Sequence, residues 1–163
     1  MKARDIMIHS VIKAHVDDDV KSVLRKFVEH GIGGMPIVDD ANRVVGYISD
    51  GDVMRAFSRH YSRFRTIDTG YYVVSFFVGI EAESDEEDAD FRAHFQEFCR
   101  KKAIDAGVRK AICVQEDDGL ETVARILSER KIKKVPVIRD GTLVGIISRG
   151  DVIRQVVHRF MEH

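Results

Sequence analysis

A chain of 163 residues with 26 basic and 27 acidic side chains carries a formal net charge of -1, and so has no cationic excess with which to replace phosphate counterions, which argues against a nucleic-acid binder. Its 44% apolar content is that of a soluble globular protein, and no apolar run nears the roughly 20 residues that span a bilayer as a helix. The opening MKARDIMIHS lacks the apolar core of a secretory signal, so a cytoplasmic location is expected; there thiols stay reduced and a Cys99–Cys113 disulfide is not expected.

In chain order, a first strand is expected at residues 11–15. Val20, Val23, Leu24, Phe27 and Val28 then recur at helical spacing, with Asp18 or Asp19 as cap and Gly31 suited to the left-handed turn that ends a helix. Residues 35–38 form a short apolar run, 39–42 carry turn chemistry, and 43–49 read as a strand rich in Val and Ile. A second helix starts near Gly51, with Ser49 or Asp50 available as its cap. Residues 71–80, YYVVSFFVGI, predict a strand covered on both faces or an edge that pairs with a second subunit. Residues 81–90 hold seven acids in ten and read as a solvated, mobile linker, with a divalent-cation site as the lesser alternative. Phe91, Phe95 and Phe98 lie at helical spacing, with Ala103 and Ile104 further on, which predicts a helix packed in the core or an interface. A strand at 111–115, a helix at 120–130, a strand at 135–138, an Arg-Asp-Gly-Thr turn, a strand at 143–148 and a helix from Gly150 complete the chain.

The second half repeats the first. With one deletion near Asn42, residues 20–55 align with 120–154: Val23 meets Val123, Arg25 meets Arg125, Glu29 meets Glu129 and Ile32 meets Ile132. Pro36 falls on Pro136, Gly46 on Gly145, and Ser49, Gly51, Asp52 and Val53 fall on Ser148, Gly150, Asp151 and Val152. The fold class is α/β (α+β): two β-α-β-β-α units, each too small to bury a core alone, packed about a pseudo-twofold axis. The expected division is 1–62 for copy one, 63–107 for an inserted strand, loop and helix, and 108–163 for copy two. Residues from about 61 to 108 are expected to have no counterpart elsewhere in the chain.

The pattern resembles a tandem pair of CBS (cystathionine β-synthase) domains, a Bateman module. The likeness is carried by Arg4-Asp5-Ile6-Met7, by residues 31–39 and 45–53 in copy one, and by 131–138 and 144–152 in copy two. The resemblance implies a regulatory module, not an enzyme, that holds an adenine nucleotide (AMP, ADP or ATP) in clefts between the repeats and signals to a partner protein. It assigns ribose binding to Asp52 and Asp151. It also implies a homodimer through the helices that begin near Val20, Gly51, Leu120 and Gly150, with Phe57, Val156, Val157 and Phe160 among the apolar positions. The insertion departs from the family pattern: its helix is expected to replace, before copy two, the Asp-Ile-Met segment that opens copy one.

The residues support that chemistry on their own terms. Ser49-Asp50-Gly51-Asp52 and Ser148-Arg149-Gly150-Asp151 sit where a strand runs into a helix, whose unpaired N–H groups and dipole suit a phosphate. A carboxylate there can accept from ribose hydroxyls, and Met35-Pro36 and Val135-Pro136 can offer backbone groups to an adenine edge. The same Ser and Asp also make an ordinary helix cap. The copies differ in charge: Gly33, Gly34 and Asp50 in copy one against Lys133, Lys134 and Arg149 in copy two. Cations favour phosphate, so AMP, ADP or ATP is expected at Ser148, Arg149, Asp151, Lys134, Val135 and Pro136. The site of Ser49, Asp52, Met35 and Pro36 is expected to take adenosine or S-adenosylmethionine, or nothing. Seven scattered histidines and two cysteines form no catalytic constellation, and no phosphate-loop or nucleophile-elbow motif is present. Two alternatives stand: a dimerising interaction module with vestigial pockets, and a regulator in which the acidic insertion senses magnesium.

Overall fold

The protein is described from a computed structural model at residues 1–58, 64–68, 73–77 and 85–162. Copy one opens with a short helix α1 (Ala3–Ile6) and strand β1 (Ala14–His15), followed by α2 (Val20–His30). Asp19 caps α2 by accepting a hydrogen bond from the Ser22 N–H at 2.8 Å, and Gly31 ends it at φ 60°. Strands β2 (Gly34–Val38) and β3 (Val44–Ser49) form an antiparallel hairpin, β1 lies parallel to β2, and α3 (Asp50–Ser58) follows directly. Val23, Met35, Ile37 and Ile48 meet in the core of this unit.

The insertion holds strands β4 (Phe64–Asp68) and β5 (Val73–Phe77), which pair antiparallel, and a long helix α4 (Asp85–Arg100). The first of these strands was not expected from the sequence; β5 falls within the strand read at 71–80, whose ends lie outside the described residues. The acidic run is corrected in part: residues 85–90 form the first turns of α4, while 81–84 lie outside the described residues. Phe98 on α4 packs with Val20 and Val53, and Phe91 and Phe95 stack with centroids 6.0 Å apart.

Copy two repeats copy one with α5 (Ala103–Ala106), β6 (Val114–Gln115), α6 (Leu120–Glu129), β7 (Lys134–Arg139), β8 (Thr142–Ser148) and α7 (Arg149–Phe160). Its strand order and directions match those of copy one. Both strands that open the repeats are shorter than the five residues read from sequence. The deletion falls in the hairpin turn, which in copy two has Asp140 at φ 51° and Gly141 at φ 81°, the positive pair that a tight two-residue turn requires. The two hairpin ends join about the pseudo-twofold axis: Val44 N–H donates to the Gly141 carbonyl at 3.2 Å and Leu143 N–H to the Asn42 carbonyl at 2.9 Å.

The opening segments are exchanged. Ala3, Ile6 and Met7 pack in the core of copy two with Val114, Val123, Val135, Val137 and Ile147, whereas Ala103 and Ile104 pack in the core of copy one. Ile8 exchanges backbone hydrogen bonds with Ile146 at 2.9 and 3.0 Å, and Val108 does the same with Tyr47 at 2.8 and 2.9 Å. Lys2 and Arg4 pair with Asp117 at 2.8 and 2.6 Å, as Lys102 pairs with Asp17 at 3.3 Å. Two sequence expectations are therefore corrected. Residues 102–108 are the counterpart of 2–8, and the Lys-Ala-x-Asp at Lys2 and again at Lys102 is the signal that the alignment from residue 20 left out. The helix of the insertion ends at Arg100, ahead of this segment, and replaces nothing.

Candidate functional site

Among the described residues, the buried charged side chains are Asp52 and Asp151, at 8% and 6% exposure, and they occupy equivalent positions in the first turns of α3 and α7. Each is held by the serine that ends the preceding strand. Ser148 N–H donates to Asp151 Oδ2 at 2.8 Å, its hydroxyl lies 2.7 Å from the same oxygen, and Asp151 N–H reaches back to Ser148 Oγ at 3.2 Å. This is a reciprocal cap. In copy one, Ser49 N–H donates to Asp52 Oδ2 at 2.9 Å and the Ser49 hydroxyl lies at 3.1 Å. The second carboxylate oxygen meets an arginine one turn on: Asp151 Oδ1 accepts from Arg154 at 3.1 Å, and Asp52 Oδ1 accepts from Arg55. Those arginines were not assigned a role from sequence, although Asp-x-x-Arg recurs in register at Asp52 and Asp151. Helix spacing puts residues three apart on one face, so the pair was legible there.

The flanking strand presents Met35 and Pro36 in copy one and Val135 and Pro136 in copy two, all buried. The charged positions diverge. Lys133 is exposed and Lys134 half-buried, and neither forms an ion pair among the described residues. Arg149 folds back, donating from Nε to the Ile132 carbonyl at 2.9 Å and from its backbone N–H to the Lys133 carbonyl at 3.1 Å. In copy one, the Asp50 N–H donates to the Gly33 carbonyl at 2.8 Å, and Tyr47 lies across Gly34. Burial pushes the Tyr47 phenol well above its ordinary pKa, and the charges of Asp50 and Asp52 push it further in the same direction.

Other features lie elsewhere. A groove of about 730 Å³ between α2 and α4 is lined by Leu24, Val28, Phe95 and Cys99, with Lys21 and Arg25 among the charged residues at its edge; no sequence-assigned nucleotide residue lines it. The described residues hold no group of three His, Cys, Asp or Glu able to bind a metal ion, and no helix among them is long and apolar enough to cross a membrane. His60 and His163 lie outside the described residues.

Two β-α-β-β-α units that complete each other's cores, each with a buried Asp at a strand-to-helix junction, define a duplicated α/β module. The chain belongs to the CBS domain family, whose sequence profile matches residues 3–59 and 104–158. It is 25% identical over 158 residues to Uncharacterized protein MJ1426 of Methanocaldococcus jannaschii, covering 96% of this chain and 92% of that one. It is 29% identical over 142 residues to the chloroplastic CBS domain-containing protein CBSX1 of Arabidopsis thaliana, covering 83% of this chain but 54% of the relative. Against MJ1225 of Methanocaldococcus jannaschii it spans 41% of the relative's length. Among solved structures, it superposes on CBSX2 in complex with AMP at a TM-score of 0.68, with 23% identity and 97% of each chain covered. It superposes on the CBS domain pair of MJ0100, in complex with 5'-methylthioadenosine and S-adenosyl-L-methionine, at a TM-score of 0.67, with 21% identity and 98% of each chain covered.

Proposed function

We propose that this chain is a non-catalytic sensor that takes a phosphorylated adenosine ligand, AMP, ADP or ATP, at the β8–α7 junction of copy two and passes the signal to a partner protein. The observation that carries the reading is the pair Lys133 and Lys134, cations without an ion-pair partner among the described residues, beside the helix start that holds Asp151. A helix N-terminus with nearby ammonium groups attracts phosphate, and Asp151 Oδ1 is the oxygen that a ribose hydroxyl reaches by sharing or displacing Arg154. Ser148, Arg149, Val135 and Pro136 complete the lining. The AMP bound by CBSX2 and the adenosyl compounds bound by MJ0100 support adenosine as the common element.

Copy one, built around Ser49, Asp52, Met35 and Pro36, lacks those cations and carries Asp50 in their vicinity, so it disfavours phosphate. A less anionic adenosyl compound such as S-adenosylmethionine is the class it would accept. Isothermal titration with AMP, ATP and S-adenosylmethionine tests the reading. Saturable AMP or ATP binding lost in Asp151→Ala and weakened in Lys134→Ala is expected; no heat with any of the three at millimolar ligand would refute it.

The partner includes a second copy of the chain. Ile153 and Phe160 on α7 are 62% and 69% exposed, and Val156 and Val157 lie on the same helix, leaving an apolar surface that a dimer would cover. Phe57, named with them from sequence, has its side chain outside the described residues. Sedimentation should show a dimer that Phe160→Asp weakens; a monomer at all concentrations would remove this part of the proposal.

A further inference from the structure

We infer that Tyr47 sets the two clefts apart: its phenol lies over Gly34, in the position where copy two presents Lys134, and closes the copy-one cleft to phosphorylated adenosine ligands. The inference rests on the reading of the two strand-to-helix junctions as ligand clefts. It begins from strand register. Pro36 stands opposite Tyr47 and Pro136 opposite Ile146, so Gly34 is the diagonal neighbour of Tyr47 as Lys134 is of Ile146. Diagonal neighbours in an antiparallel pair come within reach when one of them is aromatic.

The tyrosine takes up that reach in full. A β-carbon placed on Gly34 would lie 2.6 Å from Tyr47 Oη, 3.0 Å from Cε1 and 3.1 Å from Cζ. A side chain at position 34 and a phenol at position 47 therefore exclude one another. Copy two resolves the same conflict the other way, with a shorter isoleucine and a lysine that is half-buried where Gly34 is buried. The neighbouring pair follows suit: a β-carbon on Gly33 would lie 2.8 Å from Asp50 Oδ2, while the matching positions in copy two are Lys133 and Arg149. The phenol thus fills space beside Asp50, whose charge opposes an entering phosphate where copy two has Arg149. The two glycines and the tyrosine–aspartate pair form one unit, exchanged as a whole between the copies.

The test transplants copy two's pair into copy one. AMP is titrated into the wild type, into G34K/Y47I, and into Tyr47→Ala, which only removes atoms and serves if the double variant fails to fold; thermal melts verify folding. The wild type is expected to bind one AMP per chain, lost with Asp151→Ala. The folded variant is expected to bind two, the second lost with Asp52→Ala. Two AMP per chain in the wild type, or one in both folded variants, overturns the inference. If the wild type binds none, the copy-two reading fails; the Tyr47 inference then stands if a variant gains an AMP that Asp52→Ala removes, and falls with it otherwise.

Discussion

Met7, from the segment that opens copy one, lies against the backbone of Gly145 in copy two so closely that a β-carbon on that glycine would sit 2.5 Å from Met7 Sδ. The mirror contact is Ile104 against Gly46, with the same 2.5 Å to Ile104 Cδ1. Each repeat therefore reserves a side-chain-free position on its last strand for the opening segment of the other. This gives a physical reason for the duplication of Gly46 and Gly145, which in the alignment is only a coincidence of letters.

The two glycines should not be equally sensitive. Around Gly145 the obstruction is the flexible Met7 side chain, whereas around Gly46 it includes the Val108 backbone carbonyl at 2.7 Å. Overpacking of a core costs about 1–3 kcal/mol, and a backbone atom cannot turn aside as a thioether can. Gly46→Ala should therefore lower the urea midpoint more than Gly145→Ala, and Met7→Ala should recover part of the loss in Gly145→Ala. Equal losses with no recovery would mean that these contacts do not govern the packing.

Removing residues 1–8 should loosen copy two before copy one. Ala3, Ile6 and Met7 share a core with Val135, Val137 and Ile147, and Ile8 supplies the backbone partner of Ile146. Hydrogen exchange should accelerate in β7 and β8 while β2 and β3 keep more of their protection. Faster exchange confined to β2 and β3 would show that the opening segment packs on its own repeat.

Much of this was legible in the residues, and the reasons are local. Asp19 and Gly31 mark the ends of α2 by chemistry that acts within one turn, and the one-residue deletion near Asn42 locates the hairpin turn that Asp140 and Gly141 tighten. The Ser-x-x-Asp junctions could be placed because a strand ends and a helix begins there in both copies. What stayed hidden depends on tertiary placement. Lys2 and Lys102 head matching segments of seven residues, too short for periodicity to report, and nothing local tells that each crosses to the other repeat. The position of Tyr47 over Gly34 follows from strand register, which letters alone do not supply. The strand Phe64–Asp68 carries apolar residues only at Phe64 and Ile67, three apart, so it shows no strand alternation and drew no assignment.

Loss of the Asp151 carboxylate should cost stability apart from any ligand. Asp151→Ala leaves the Ser148 N–H without its acceptor and Arg154 without its partner. Helix caps contribute about 0.5–2 kcal/mol, and a buried donor left unsatisfied costs a similar amount. Asp151→Asn keeps an acceptor for the cap and should lose less, as judged by thermal melting in ligand-free buffer. If Asn and Ala are equally damaging, charge pairing with Arg154 outweighs the cap.

Alkaline pH should act on the folded chain through Cys113. Burial pushes its thiol from 9.0 up to about 11, and the same cause raises Tyr47. A folded-state pKa above the unfolded value means that the unfolded chain gives up the proton first. The stabilisation contributed by the protonated thiol is then complete below about pH 9 and declines as pH rises toward 11. Alkylation by iodoacetamide should follow the same axis, because the thiolate is the nucleophile. Native Cys113 should react slowly at pH 8 and speed up steadily beyond pH 10, while the urea-unfolded chain should already be fast at pH 9. A Cys113→Ala chain should show a shallower loss of stability between pH 9 and 11 than the wild type. If native and unfolded Cys113 share one pH profile, the thiol is not shielded and the packing of β6 against α6 and β7 is looser than its burial implies.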